Sequence, residues 1–260
     1  MEKPKGEQMI DQAKALNDEQ VISHVSGYLR DIKKDGTKVI AVVGGPGSGK
    51  SVFTSRLCAD LGRAAFLATD NYVKGDRAWR RANVEDVGKD PTLKYDPAYF
   101  NEQVLKIMQL QDGEELGIPQ YDGASGIAIS QDPDDRPDPM TYPTKISGPQ
   151  DFVVVEGDFQ FLDSEIVDKI IYLDVADDVR LENRLYRDSV ERKEDSDPQL
   201  SEQKTRANFA SRQATQFFPH TLPEREKADM VIKVNATRLE QPTPRTKFAY
   251  TYDVSLNKSS

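Results

Sequence analysis

The chain has one cysteine, two histidines and one tryptophan in 260 residues. The lone Cys58 excludes an intramolecular disulfide and any cysteine-rich zinc site. His24 and His220 are too few for a metal site built on imidazoles. No run of about 18 apolar residues occurs, the length that a membrane-spanning helix needs. Met1 to Ile10 are charged and lack an apolar h-region, which predicts no secretory signal. Positive charge is also short: 35 Lys+Arg stand against 44 Asp+Glu, a formal net charge of −9. That balance argues against binding a phosphate backbone, which takes clustered Lys and Arg. These shortages predict a cytoplasmic protein with neither a nucleic-acid nor a membrane partner. Its chemistry would rest on carboxylates, lysine and arginine.

What is present reads as alternating helices and short apolar strands. Val21, Ile22, Val25, Leu29 and Ile32 recur at helical spacing over about 18–33. Val39 to Val43, Phe152 to Val155, Ile170 to Val175 and Met230 to Val234 are short β-branched runs of the kind that form buried strands. Ala64 to Ala68 is another strand candidate, and Phe53, Leu57 and Leu61 predict a helix before it. Residues 73–97 read as irregular, followed by a helix around Phe100 to Leu110. Residues 112–149 hold eight acids against two bases, with several prolines. They read as an excursion from the sheet, a hairpin with a long tip. Asp177 to about Arg192 reads as an arginine-rich helix, and a further helix is expected to run to Phe217. Residues 236–246 read as a linker, and the alternation from Phe248 to Leu256 as a half-buried strand. The series predicts a single α/β domain over 1–260 with a mostly parallel sheet, a loose start at 1–8 and an extra C-terminal strand.

Gly44-Gly45-Pro46-Gly47-Ser48-Gly49-Lys50-Ser51 follows the first strand and opens a helix. The pattern G-x-x-x-x-G-K-[ST] in that setting is a phosphate-binding loop. Its glycines let successive backbone N–H groups converge on phosphate oxygens, and the helix N-terminus adds donors and a positive dipole end. Lys50 would reach the β- and γ-phosphates of ATP, and the Ser51 hydroxyl would ligate Mg²⁺. Cys58, beside Leu57 and Leu61, reads as a small buried hydrophobe. A GTPase base-reading motif is absent: Asn257-Lys258 is followed by Ser260 where an Asp belongs.

Two acids sit at strand ends. Asp70 ends the run Ala64 to Ala68, and Glu156 ends Phe152 to Val155. In open α/β sheets ligands bind beyond the carboxyl ends of the strands, so both acids are expected at the loop's mouth. Asp70 is favoured as the base that takes the proton of an attacking hydroxyl, and Glu156 as the metal-side acid. Arg180, Arg184 and Arg187 share one helical face, with Arg192 further on. Guanidinium groups there would close over ATP.

These stretches together resemble the uridine kinase and phosphoribulokinase family over about residues 38–234. The resemblance rests on Gly44–Ser51, Thr69-Asp70-Asn71-Tyr72, Tyr95-Asp96-Pro97-Ala98-Tyr99-Phe100, Ile118-Pro119-Gln120-Tyr121-Asp122, Val153-Val154-Val155-Glu156-Gly157, Arg180 through Arg192, and Ala228-Asp229-Met230-Val231-Ile232. It implies a three-layer P-loop fold and transfer of the ATP γ-phosphate, with Mg²⁺, to a hydroxyl of a small molecule. It also implies that Asp70 is catalytic with Lys50 and Arg187. Ser51 and Glu156 would be metal-side residues, and Arg184, Arg187 and Arg192 lid arginines. Tyr72, Tyr121 and Asp122 would belong to the acceptor pocket. Nucleoside-specific relatives follow Tyr-Asp with Phe and then His. Here Gly123-Ala124-Ser125-Gly126 follows. Pantothenate, glycerate or a sugar therefore stand as alternative acceptors, and an ATP-binding regulatory module as an alternative of another class. Whether the strand 248–256 completes the sheet or pairs between subunits is left open, as is assembly as a homo-oligomer.

Overall fold

The computed structural model describes residues 15–33, 35–83, 93–122, 129–130, 134, 136–157, 164–188, 198–241 and 247–257. In chain order they form α1 (Asp18–Ile32), β1 (Lys38–Gly44), α2 (Lys50–Leu61), β2 (Ala64–Ala68), α3 (Arg77–Asn83) and α4 (Pro97–Gln109). The short strands β3 (Glu115–Ile118) and β4 (Thr144–Ser147) come next, then β5 (Phe152–Glu156), β6 (Lys169–Val175) and α5 (Asp177–Tyr186). The chain continues through α6 (Pro198–Arg212), α7 (Glu224–Lys227), β7 (Met230–Arg238) and β8 (Phe248–Leu256).

The strands form one six-stranded sheet in the order β2-β5-β1-β6-β7-β8. The first five run parallel, and β8 pairs antiparallel along the whole of β7. The C-terminal strand therefore completes this chain's own sheet. Continuous apolar runs suit the central strands because both faces are covered. Alternation divides the two faces. Val39, Val153 and Val155 pack toward α4 and the β3–β4 pair, and Ile40, Val42, Phe152 and Val154 pack toward α1 and α2. Burial pushes the Cys58 thiol up to about 12, which keeps it protonated and inert at neutral pH.

Local chemistry sets the helix starts. Asn17 caps α1 in a reciprocal capping box with Gln20. Asp96 caps α4 by accepting from Tyr99 N at 2.9 Å, with Pro97 in the first turn. The hairpin expected within 112–149 is present as the antiparallel β3–β4 pair, Glu115 opposite Ser147 and Ile118 opposite Thr144.

Two expectations are corrected. The stretch 73–97 contains α3, and the Trp79 ring lies against Gly75. The arginine-rich helix is regular α over Asp177–Tyr186 and turns π-type at 187–188, and the rest of the expected span to Arg192 lies outside the described residues. The following helix passes Phe217, since α6 continues as a π-helical stretch over Gln213–Thr221.

One ion cluster ties three elements together at the sheet's amino edge. Arg63 grips Asp151 with two parallel bonds, Nε to Oδ2 at 2.9 Å and Nη2 to Oδ1 at 2.8 Å, and Lys33 donates to the same carboxylate. The Arg63 bonds, opposed by burial and helped by Lys33, hold the Asp151 carboxyl below the usual range. A depressed carboxyl contributes stability above the unfolded value of about 3.9, and that stability is lost as the pH falls through the lower folded value. Asp151→Asn is expected to cost roughly 1 kcal/mol at neutral pH, the scale of partly exposed pairs. It should also flatten the fall of stability below about pH 4. Urea midpoints measured from pH 2 to 7 check this, and parallel wild-type and variant curves would contradict it.

Candidate active site

The loop between β1 and α2 is shaped by what it must leave out. Gly47 and Gly49 have φ of +85° and +82°, a region side chains rarely adopt. Ser48 N donates to Gly45 O at 3.1 Å, which closes the turn. Gly49 supplies no side-chain cap to α2, so the first-turn N–H groups face the loop's concavity. Lys50 Nζ lies across the loop, donating to Gly44 O at 2.7 Å and Gly45 O at 3.2 Å. The outer side of the loop is packed by α5. A Cβ on Gly47 would stand 2.3 Å from the Arg180 backbone oxygen, and Asn183 Nδ2 donates to Gly47 O at 3.1 Å.

Sheet register brings both acids to this edge. Glu156 is level with Val42 on one side and Ala68 on the other. Ser51 Oγ donates to Glu156 Oε2 at 3.2 Å. A hydroxyl and a carboxylate oxygen at that spacing are hard donors of the kind Mg²⁺ takes. Among the described residues no group of three or more His, Cys, Asp or Glu gathers to cage a metal. Such an ion would draw most of its shell from phosphate oxygens and water, the usual habit of Mg²⁺.

Asp70 stands in a 3₁₀ turn, Thr69–Tyr72, directly after β2. Its side chain is about two-thirds exposed, and it opens into a cleft of about 1140 Å³ that also holds the glycine loop, Glu156, Arg184 and Arg187. Tyr95 Oη donates to Asp70 Oδ1 at 3.2 Å, and Lys94 Nζ lies 4.0 Å from the same oxygen. Desolvation by the cleft walls around it pushes the Asp70 carboxyl up, but the charges of Lys94 and Arg212, the Tyr95 bond and the charge of Lys50 outweigh it. The net effect holds the carboxyl below the ordinary range, so Asp70 is ionised at neutral pH.

The arginines divide by environment. Arg184 is buried beside Asp188 at 3.5 Å, and Arg187 reaches the same carboxylate at 3.1 Å while keeping a third of its side chain exposed. Both line the cleft. Arg180 is a correction: it is 1% exposed and acts inside the protein. Its Nε donates to Val175 O at 3.1 Å, its Nη1 to Gln213 Oε1 at 3.0 Å, and its guanidinium stacks 4.0 Å from the Phe217 ring centroid. Arg192 lies outside the described residues.

The expected acceptor residues are not brought together. Tyr72 is fully buried, its ring edge-on to Phe100 at 4.7 Å and Tyr99 at 5.7 Å, so it packs the core and is absent from the cleft wall. Tyr121 packs at the margin of that core and donates its N–H to Asn71 Oδ1, and Asp122 is exposed. Neither lines the cleft. Residues that sequence reasoning did not place there do line it: Lys94, Tyr95, Asn183, Arg212 and Tyr250. Tyr250 Oη donates to Asn183 Oδ1 at 3.1 Å, which links β8 through α5 to the glycine loop. No local pattern marks them as cleft residues, although Tyr95 and Tyr250 belong to stretches read above. Their placement depends on pairings between distant segments.

Residues 39–240 match the model of the phosphoribulokinase / uridine kinase family. The chain is 26% identical over 228 residues to the chloroplastic phosphoribulokinase of Chlamydomonas reinhardtii, covering 79% of this chain and 54% of that protein. It thus spans about half the length of that relative. It is 24% identical over 200 residues to the uridine kinase of Borrelia hermsii, covering 75% of this chain and 85% of that one. Among solved structures, the D-glycerate 3-kinase of Cryptococcus neoformans shares the fold with a TM-score of 0.55 at 11% identity, covering 91% of this chain and 99% of that one.

The two positive-φ glycines make different demands. Gly49→Ala meets open space, so it should cost only the strain of the left-handed backbone, about 1–2 kcal/mol. Gly47→Ala adds a collision with a backbone oxygen that cannot swing aside. Gly47→Ala is therefore expected to lower the urea midpoint further than Gly49→Ala and to weaken binding of a fluorescent ATP analogue more. Equal losses in the two variants would contradict the packing of α5 on the loop.

Proposed function

This chain belongs to the phosphoribulokinase / uridine kinase family, and we propose from that premise that it moves the γ-phosphoryl group of ATP onto a hydroxyl of a small molecule. One observation supports this above the rest. The glycine loop, the Ser51–Glu156 pair and the ionised Asp70 share a single cleft at the carboxyl edge of the sheet.

In this reading, phosphate oxygens rest on the backbone N–H groups of Gly47 to Ser51 and on the first turn of α2. Lys50 leaves its resting place on the Gly44 and Gly45 carbonyls and turns its ammonium to the β- and γ-phosphates. Ser51 and Glu156 would hold Mg²⁺, which supplies charge neutralisation of the phosphates when bound. Arg184 and Arg187, already gathered by Asp188, offer guanidinium groups to the transferring oxygens. Asp70 receives the acceptor hydroxyl, orients it in line and takes its proton. Helix α5, already docked on the loop through Arg180 and Asn183, shields this side of the site from water, which would otherwise compete as acceptor.

The burial of Tyr72 and the position of Tyr121 remove from the cleft the two rings the resemblance offered for an acceptor, and leave Tyr95, Tyr250 and Tyr252 among the rings along it. A nucleoside stays beside pantothenate, glycerate and sugars among the acceptor classes of this reading.

Asp70→Asn is expected to lower kcat by about 10²–10⁴, the usual size of a positioned base, with little change in ATP affinity. Coupled ADP-release assays over nucleosides, sugars, sugar phosphates and hydroxy acids check this once an acceptor is found. An Asp70→Asn enzyme with near wild-type kcat would contradict the role of Asp70.

A further inference from the structure

Tyr95 opens the stretch Tyr95 to Phe100 and Lys94 precedes it, with no role at the site attached to either by the sequence, yet the fold fixes both beside Asp70. The chain just past the Asp70 turn pairs with them through backbone bonds. Lys74 N donates to Lys94 O at 3.0 Å, and Asp96 N donates to Tyr72 O at 3.1 Å. These bonds frame an antiparallel bridge between Val73 and Tyr95. Ile129 steadies the other side, donating to Val73 O at 3.2 Å and accepting from Gly75 N at 3.1 Å. Helix α4 begins at once after Asp96, so the segment cannot slide. Tyr95 is 1% exposed, which holds its ring in place.

The polar ends of the two side chains converge on one oxygen. Lys94 Nζ donates to Tyr95 Oη at 2.8 Å, and Tyr95 Oη donates to Asp70 Oδ1 at 3.2 Å. The Lys94 ammonium lies 4.0 Å from that same Oδ1, and only 16% of the Lys94 side chain is exposed. Among the described residues nothing donates to Oδ2, while the carboxylate as a whole opens to the cleft.

We infer that Lys94 and Tyr95 are positioning residues: they pin Oδ1 of Asp70 and leave Oδ2 turned to the acceptor hydroxyl. The inference rests on the reading of Asp70 as the group that receives that hydroxyl. A hydroxyl donor backed by an ammonium favours the charged carboxylate. The other charged groups facing it are Lys50 from α2 and Arg212 from α6, and Glu156 at the end of β5 opposes them from the same cleft. A carboxylate held this way is a weak base but a well-aimed one. Phosphoryl transfer through a loose transition state asks more of aim than of base strength. In the transfer the acceptor O–H bond breaks toward Oδ2 as the acceptor oxygen bonds phosphorus and ADP leaves.

The test is a ¹³C NMR titration of full-length protein labelled at the aspartate carboxyls. The Asp70 signal is identified by its loss in Asp70→Asn. In Tyr95→Phe and in Lys94→Met the Asp70 carboxyl should titrate at higher pH than in wild type. Lys94→Arg, which keeps the charge, should restore most of the wild-type value. An unmoved titration in Tyr95→Phe, which removes one hydroxyl and keeps the ring, would overturn the inference even if Lys94→Met fails to fold. The pH profile of slow ATP hydrolysis without acceptor separates the two readings. An Asp70 titration that shifts while the acid limb of ADP release stays put would remove Asp70 from the chemistry and leave its placement by Lys94 and Tyr95 intact.

Discussion

Everything at the carboxyl edge of the sheet follows from a loop that must be backbone and nothing else. For N–H groups to surround a phosphate, side chains have to be missing where the ligand approaches. Here the same absence serves the outer side of the loop, where the Arg180 carbonyl comes closer to Gly47 than any Cβ would allow. Helix α5 is therefore docked on the loop itself. That docking sets where Arg184 and Arg187 stand, and it is why Arg180 became an internal strut between Val175, Gln213 and Phe217. The loop, the arginine helix and the last strand form one connected unit, joined through Asn183 and Tyr250.

The charge distribution gains meaning from this arrangement. A formal net charge of −9 describes the surface as a whole, and the cleft departs from it. Lys50, Lys94, Arg184, Arg187 and Arg212 all line the same cavity, where they can meet the charge of ATP. The described acids of the 112–149 stretch, which includes the β3–β4 pair, are absent from the cleft's lining. Poverty in His and Cys is no handicap to the proposed reaction, since phosphoryl transfer draws on backbone dipoles, cations and carboxylates.

Much of this was legible in the sequence, for physical reasons. Parallel strands covered on both faces must be apolar throughout, so β1, β5 and β6 show as continuous runs. The acids that follow such runs, Asp70 and Glu156, fall at the ligand-binding edge by topology alone. Helical offsets put Arg180, Arg184 and Arg187 on one face but could not say that part of this face is buried against the loop and the π-helical stretch. Tyr72 looked like a pocket aromatic from its neighbours in sequence, and only the packing of α4 decides that it faces the core. The placement of Lys94 and Tyr95 beside Asp70 was invisible because a bridge across more than 20 residues, Val73 to Tyr95, puts them there.

The most direct test of the account is ³¹P NMR of ATP and Mg²⁺ with the purified protein and the acceptor panel. The account predicts that the γ-phosphate signal is replaced by a phosphomonoester resonance with one class of alcohol, and that Asp70→Asn suppresses this conversion. Release of inorganic phosphate alone across the whole panel, at the same rate in wild type and Asp70→Asn, would contradict it.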